Sequence, residues 1–78
     1  MPTVLRSGPF RFFFYSSDRE EPPHVHVERD TAIAKIWLTP VRIERSRGFN
    51  RHQIRRACRI VEKHQQQLLG RWNDYFSD

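Results

Sequence analysis

Residues 24–28 read His-Val-His-Val-Glu, an alternation with the period of a β-strand that sets His24, His26 and Glu28 on one face and Val25 and Val27 on the other. The same period runs through the stretch before it. Phe10, Phe12 and Phe14 alternate with Arg11, Phe13 and Tyr15, a nearly all-aromatic strand whose two faces both call for cover. Thr3 to Arg6 is a shorter β-favouring stretch, and Ser7, Gly8 and Pro9 supply a turn, so the first two strands predict a hairpin. Ser16 to Pro23 is polar and ends in a double proline, which predicts a loop delivering the chain to a strand that begins at His24. After a turn at Arg29 to Thr31, Ala32, Ala34, Ile36 and Leu38 alternate with Ile33, Lys35 and Trp37; Thr39 and Pro40 interrupt, and Val41 to Ile43 resume. These connections are too short for parallel crossovers, so the strands are expected in antiparallel order.

The period changes after a basic link, Arg45 to Phe49. Asn50, with Gln53 three residues on, has the arrangement of a helix N-cap and capping box. From there Ile54, Ala57, Cys58, Val61, Leu68, Trp72, Tyr75 and Phe76 fall on one helical stripe, and His52, Arg55, Arg56, Arg59 and Lys63 gather opposite. Gly70 costs about 1 kcal/mol relative to alanine inside a helix, which marks it as the place for a bend. The pattern predicts an α+β fold: a small antiparallel sheet of three to four strands followed by one long C-terminal amphipathic helix packed on it. Residues 1–78 form one domain, with 1–44 the sheet-forming half and 50–76 the basic amphipathic helix.

Size sharpens this picture. A chain of 78 residues buries only roughly 60% of its unfolded surface, so its stability is marginal. Cys58 is the only cysteine, which excludes an intramolecular disulfide and gives weight to a partner chain or a homo-oligomer. Neither a signal peptide nor an apolar run of membrane-spanning length is recognised, and a cytoplasmic location without membrane contact is expected.

Charge is divided unevenly. Residues 1–41 hold equal numbers of cationic and anionic side chains, whereas residues 42–71 hold Arg42, Arg45, Arg47, Arg51, Arg55, Arg56, Arg59, Lys63 and Arg71 against only Glu44 and Glu62. Such a block points to a polyanion or an acidic protein, and its preference for arginine suits bidentate recognition of phosphate or carboxylate. The densest titratable cluster is the segment from Glu21 to Glu28. His24, His26 and Glu28 would suit zinc or non-haem iron. They would equally serve general acid–base work, or simply a hydrogen-bonded polar sheet face. A ribonuclease acting through the 2′-hydroxyl needs a base, an acid and nearby cations but no metal; His24, His26, Tyr15 and Glu28 are the candidate catalytic residues. This reading requires neither a metal nor another cofactor. Cys58, on the apolar stripe, is expected to be an inert thiol, and His64 a packed or capping side chain.

The opening MPTVLRSGPFRFFFYSSDREEPPHVHVE, then Ala34, Lys35, Trp37 and Leu38 before Pro40 and Val41, then Arg47-Gly48-Phe49 and the late Leu69, Trp72 and Tyr75-Phe76 resemble a family of small bacterial proteins grouped as domain of unknown function number 4160. Phe10 stands where that family more usually has tyrosine, and Arg42 to Arg47 is more basic than its pattern. The resemblance implies a gene neighbour encoding a second small protein, and hence a toxin-antitoxin pair in which the basic chain is the toxin and the partner is acidic. Joined to the residue chemistry, the expectation is a toxin-like component acting on RNA, with Arg42, Arg45, Arg47, Arg51, Arg55, Arg56, Arg59 and Lys63 holding RNA or the acidic partner. The alternative is a non-catalytic nucleic-acid- or protein-binding module, the regulatory partner of such a pair.

Overall fold

A computed structural model describes residues 3–77. Five strands follow one another as β1 (Thr3–Ser7), β2 (Phe10–Phe13), β3 (His24–Arg29), β4 (Ala32–Leu38) and β5 (Val41–Arg47), then helices α1 (Arg51–Lys63) and α2 (Gln65–Phe76). A short 3-10 turn, Ser16–Glu20, lies between β2 and β3. The strands form an antiparallel meander in the order β1-β2-β3-β4-β5, as the short connections require.

Two expectations are corrected. The sheet has five strands rather than three to four, because Thr39 and Pro40 do not merely interrupt a strand but turn the chain back, so that Val41–Arg47 pairs antiparallel with β4 as a strand of its own and runs past Ile43 to Arg47. An edge strand needs backbone partners on one side only and no buried side chains, so charge does not exclude it. The helical half is two helices rather than one, and the break falls at His64 rather than Gly70. His64 caps the end of α1, its Nδ1 donating to the Ile60 carbonyl at 3.0 Å, while Gly70 lies within α2 in open space. The expected N-cap is present: Asn50 Oδ1 accepts from the Gln53 amide at 2.8 Å, and Gln53 Oε1 accepts from the Asn50 amide at 2.9 Å.

One face of the sheet carries the main core. Phe10, Phe12, Phe14, Val25, Val27, Ala34, Ile36 and Leu38 pack against Ala57, Val61, Leu68 and Trp72 of the helices. The alternation of β2 and β3 and the helical stripe therefore meet as the periods predict; Tyr75, at the end of the stripe, is exposed. Gly48 lets the chain turn from β5 toward α1. Its φ is +91°, and a Cβ there would stand 3.0 Å from the Ala32 backbone and side chain, so a larger residue is excluded both by conformation and by space.

Candidate functional site

The opposite face of the sheet holds the polar cluster. Register places Phe13, His26, Lys35 and Arg45 in one row across β2 to β5, with Arg11, Glu28, Ile33 and Arg47 in the next. His24 stands opposite Trp37 at the beginning of β3. The 3-10 turn brings Asp18 over this face. Its Oδ2 accepts from the Tyr15 amide at 2.8 Å and lies 3.0 Å from His26 Nε2, while its Oδ1 lies 3.2 Å from His24 Nε2. Asp18, His24 and His26 are all buried.

Aromatic rings wall the cluster. Phe13 stacks on His26 with ring centres 5.6 Å apart, Tyr15 approaches the same imidazole at 4.5 Å, and His24 touches Trp37 and Trp72 at 5.5 and 5.1 Å. Burial pulls the His26 imidazole below its ordinary value, overcoming the opposite pull of Asp18, and nearby His24 acts in the same direction as burial. Lys35 is buried beneath the sheet surface with its ammonium paired to Glu21 and lying 4.7 Å from the Trp37 ring centre. The hydrogen bond from Lys35 holds the Glu21 carboxyl below the ordinary carboxylate value.

The three residues of the expected His-His-carboxylate set share a face, but the third does not join the histidines. The Glu28 carboxylate accepts from Arg11 Nε at 2.7 Å. Asp18 takes the place beside the imidazoles. It lies in a polar stretch read as a loop, and the available signal was an acidic residue able to accept a backbone N–H three positions before it, as Asp does in turns. Tyr15 is half-buried against His26 and Phe13, and Trp37 is half-buried with its indole N–H donating to Glu44 at 2.9 Å. Cys58 is partly buried against the core, and burial, with Glu62 nearby, raises its thiol pKa.

Beside the cluster is an open pocket of about 340 Å³ lined by Tyr15, His26, Ile33, Lys35, Arg45 and Arg47 among others. It brings two of the four candidate catalytic residues, Tyr15 and His26, together with Arg45 and Arg47 of β5, and leaves out His24 and Glu28. Arg42, Arg45 and Arg47 of β5 and Arg51, Arg55, Arg56, Arg59 and Lys63 of α1 are exposed. Among the described residues none of these eight is paired with a carboxylate. A second, shallower depression of about 280 Å³ is lined by His52, Arg55, Arg56 and Arg59. Arg56 also lies 5.7 Å from the Phe10 ring centre. The β5 cations and the α1 cations thus form two basic surfaces, each with a concavity.

The sequence pattern of the family described as Domain of unknown function (DUF4160) matches residues 10–73. The chain belongs to this family. The matched span takes in β2, the Asp18 turn, both histidines, the basic strand β5 and all of α1, so the whole site lies within the family's domain. No curated protein and no solved structure matches the chain. No helix among the described residues is long and apolar enough to cross a membrane.

Proposed function

We propose that this protein acts on RNA as the toxin-like component of a two-protein bacterial module whose other half is a small acidic protein, in the cytoplasm. The observation that carries this reading is the set of exposed arginines on β5 and α1 that have no carboxylate partner among the described residues. Unpaired guanidinium groups at this density attract polyanions at long range and hold phosphate bidentately at contact. Register sets Arg45 directly across from Lys35, whose charge Glu21 already meets, so Arg45 is the cation of this row left to an anion at the pocket. Tyr15 on the pocket wall offers a ring beside these cations, the combination that single-stranded nucleic acid uses for stacking and phosphate contact. The same surface would serve the acidic partner, which masks it by competition.

A labelled single-stranded RNA titrated with the protein is expected to bind, and Arg45→Ala with Arg47→Ala is expected to weaken binding by about tenfold or more. Absence of binding, or binding indifferent to arginine replacement on both β5 and α1, would contradict the proposal.

Metal-independent cleavage is a second reading, favoured by the meeting of His26 and Tyr15 with Lys35, Arg45 and Arg47 at one pocket. His24 is fully buried, so an acid–base pair would draw on His26 and Tyr15 as the groups facing the pocket. Inducing the wild type and a His26→Ala variant of unchanged fold in bacteria separates the readings. Growth arrest with RNA loss in the wild type alone supports cleavage, whereas RNA binding without RNA loss supports a non-catalytic binding module.

A further inference from the structure

His24 poses a hydrogen-bonding problem that the rest of the cluster does not share. Its Nδ1 lies 2.9 Å from the Pro22 carbonyl oxygen, which can only accept, so Nδ1 carries a proton. In the neutral ring the other nitrogen, Nε2, then presents a lone pair. That atom is buried without a hydrogen-bond partner among the described residues, and Asp18 Oδ1, 3.2 Å away, is another acceptor. A buried polar atom left in this state destabilises the fold unless something pairs with it.

The geometry points to a divalent transition-metal site formed by His24 Nε2, His26 Nε2 and the Asp18 carboxylate. No two donor atoms of the three are more than 4.8 Å apart. His24 Nε2 lies 3.2 Å from Asp18 Oδ1 and His26 Nε2 lies 3.0 Å from Asp18 Oδ2; each separation, though to a different oxygen, approaches the edge of about 3.3 Å between ligands of a tetrahedral centre with bonds of about 2.0–2.1 Å. A cation there would take the lone pairs of both His24 Nε2 and the Asp18 carboxylate. The surrounding shell is in place for His24 and Asp18, whereas His26 Nε2 gives up to solvent the proton it now donates to Asp18 Oδ2 when it binds the ion. Pro22 fixes the His24 tautomer with the metal-binding nitrogen free, and the Tyr15 amide orients the carboxylate. Two imidazoles and one carboxylate suit zinc among common ions, whereas magnesium and calcium prefer all-oxygen sites. Lys35 adds a positive charge nearby, but it is paired with Glu21, so the local charge left to meet the cation is that of Asp18.

Three protein ligands leave a fourth position for water or a substrate oxygen. His26 also lines the basic pocket, so the site adjoins Arg45 and Arg47. The site stands on the cluster's geometry alone and does not depend on RNA being the substrate. A bound ion would hold His26 as a ligand and remove it from metal-free acid–base work, so the two uses of that imidazole exclude each other.

The test uses the full chain without a tag, stripped with chelator and titrated calorimetrically with zinc chloride, with cobalt(II) chloride followed by visible absorption in parallel. About one equivalent of zinc is expected, with affinity falling by about 100-fold or more in His24→Ala and Asp18→Asn and unchanged in His52→Ala. Circular dichroism checks that each variant keeps its fold. Should both site variants unfold, the wild-type cobalt complex decides: intense bands of a four-coordinate ion support the site, and the weak spectrum of hydrated cobalt overturns it. Absence of saturable zinc uptake by the wild type overturns it too, as does uptake that survives in folded His24→Ala or is lost in His52→Ala.

Discussion

The two faces of the sheet are both buried, but by opposite means. One is covered by α1 and α2 and filled with Phe10, Phe12, Phe14, Val25, Val27 and Ile36, where any apolar residue of similar volume satisfies the same non-directional demand. The other is covered near β3 by the turn at Ser16–Glu20, and what it buries is His24, His26, Lys35 and Asp18 together with Phe13. Polar groups can be buried only with partners at set distances and angles. The helical face therefore specifies the fold by area, and the histidine face specifies a site by geometry. A single layer of strands divides most of the apolar core from the histidine cluster, and the two meet where His24 touches Trp72.

That contrast can be broken from either side. The largest effect is expected on the helical face. Phe12 is fully buried, and Phe12→Ala should cost about 3–5 kcal/mol, enough to unfold a domain of this size, as a denaturant titration would show. On the histidine face, Asp18→Ala leaves the Tyr15 amide and the His26 ring without their acceptor. A loss of about 1–3 kcal/mol is expected, smaller than for Phe12→Ala although fewer atoms of that face are apolar. If Asp18→Ala proved neutral in a thermal melt, the polar partners would not be holding this face. The smallest change runs the other way. Gly70 lies inside α2 with nothing within 4 Å of an added Cβ, so Gly70→Ala should raise stability by about 0.5–1 kcal/mol and leave both faces untouched.

The same division explains what was legible in the sequence. Alternation of period two exposed β3 because its faces are chemically distinct, and Asn50 with Gln53 marked the start of α1 because a cap is a local event. The length of β5 was hidden. Arg42, Glu44, Arg45, Ser46 and Arg47 carry no apolar rhythm, and the strand is held by backbone pairing to β4, which leaves no mark on side-chain identity. The break at His64 was hidden for a related reason, since Gln65, Gln66 and Gln67 are all good helix formers, whereas Gly70, the visible weak point, is tolerated. The site was half visible. His24 and His26 share a face as their spacing requires, but the carboxylate that joins them comes from a turn that crosses that face, and only tertiary structure could choose Asp18 over Glu28.

If the arginines of β5 and α1 that have no carboxylate partner among the described residues hold RNA phosphates, binding must release counterions and weaken with salt. Single-strand affinity should fall on a log–log plot with a slope of about −0.7 for each phosphate held. Replacing Arg55 and Arg59 by alanine should make that slope shallower by about 1.4 if each guanidinium holds one phosphate. A slope near zero in the wild type, or one that the replacements at Arg45, Arg47, Arg55 and Arg59 leave unchanged, would contradict the account.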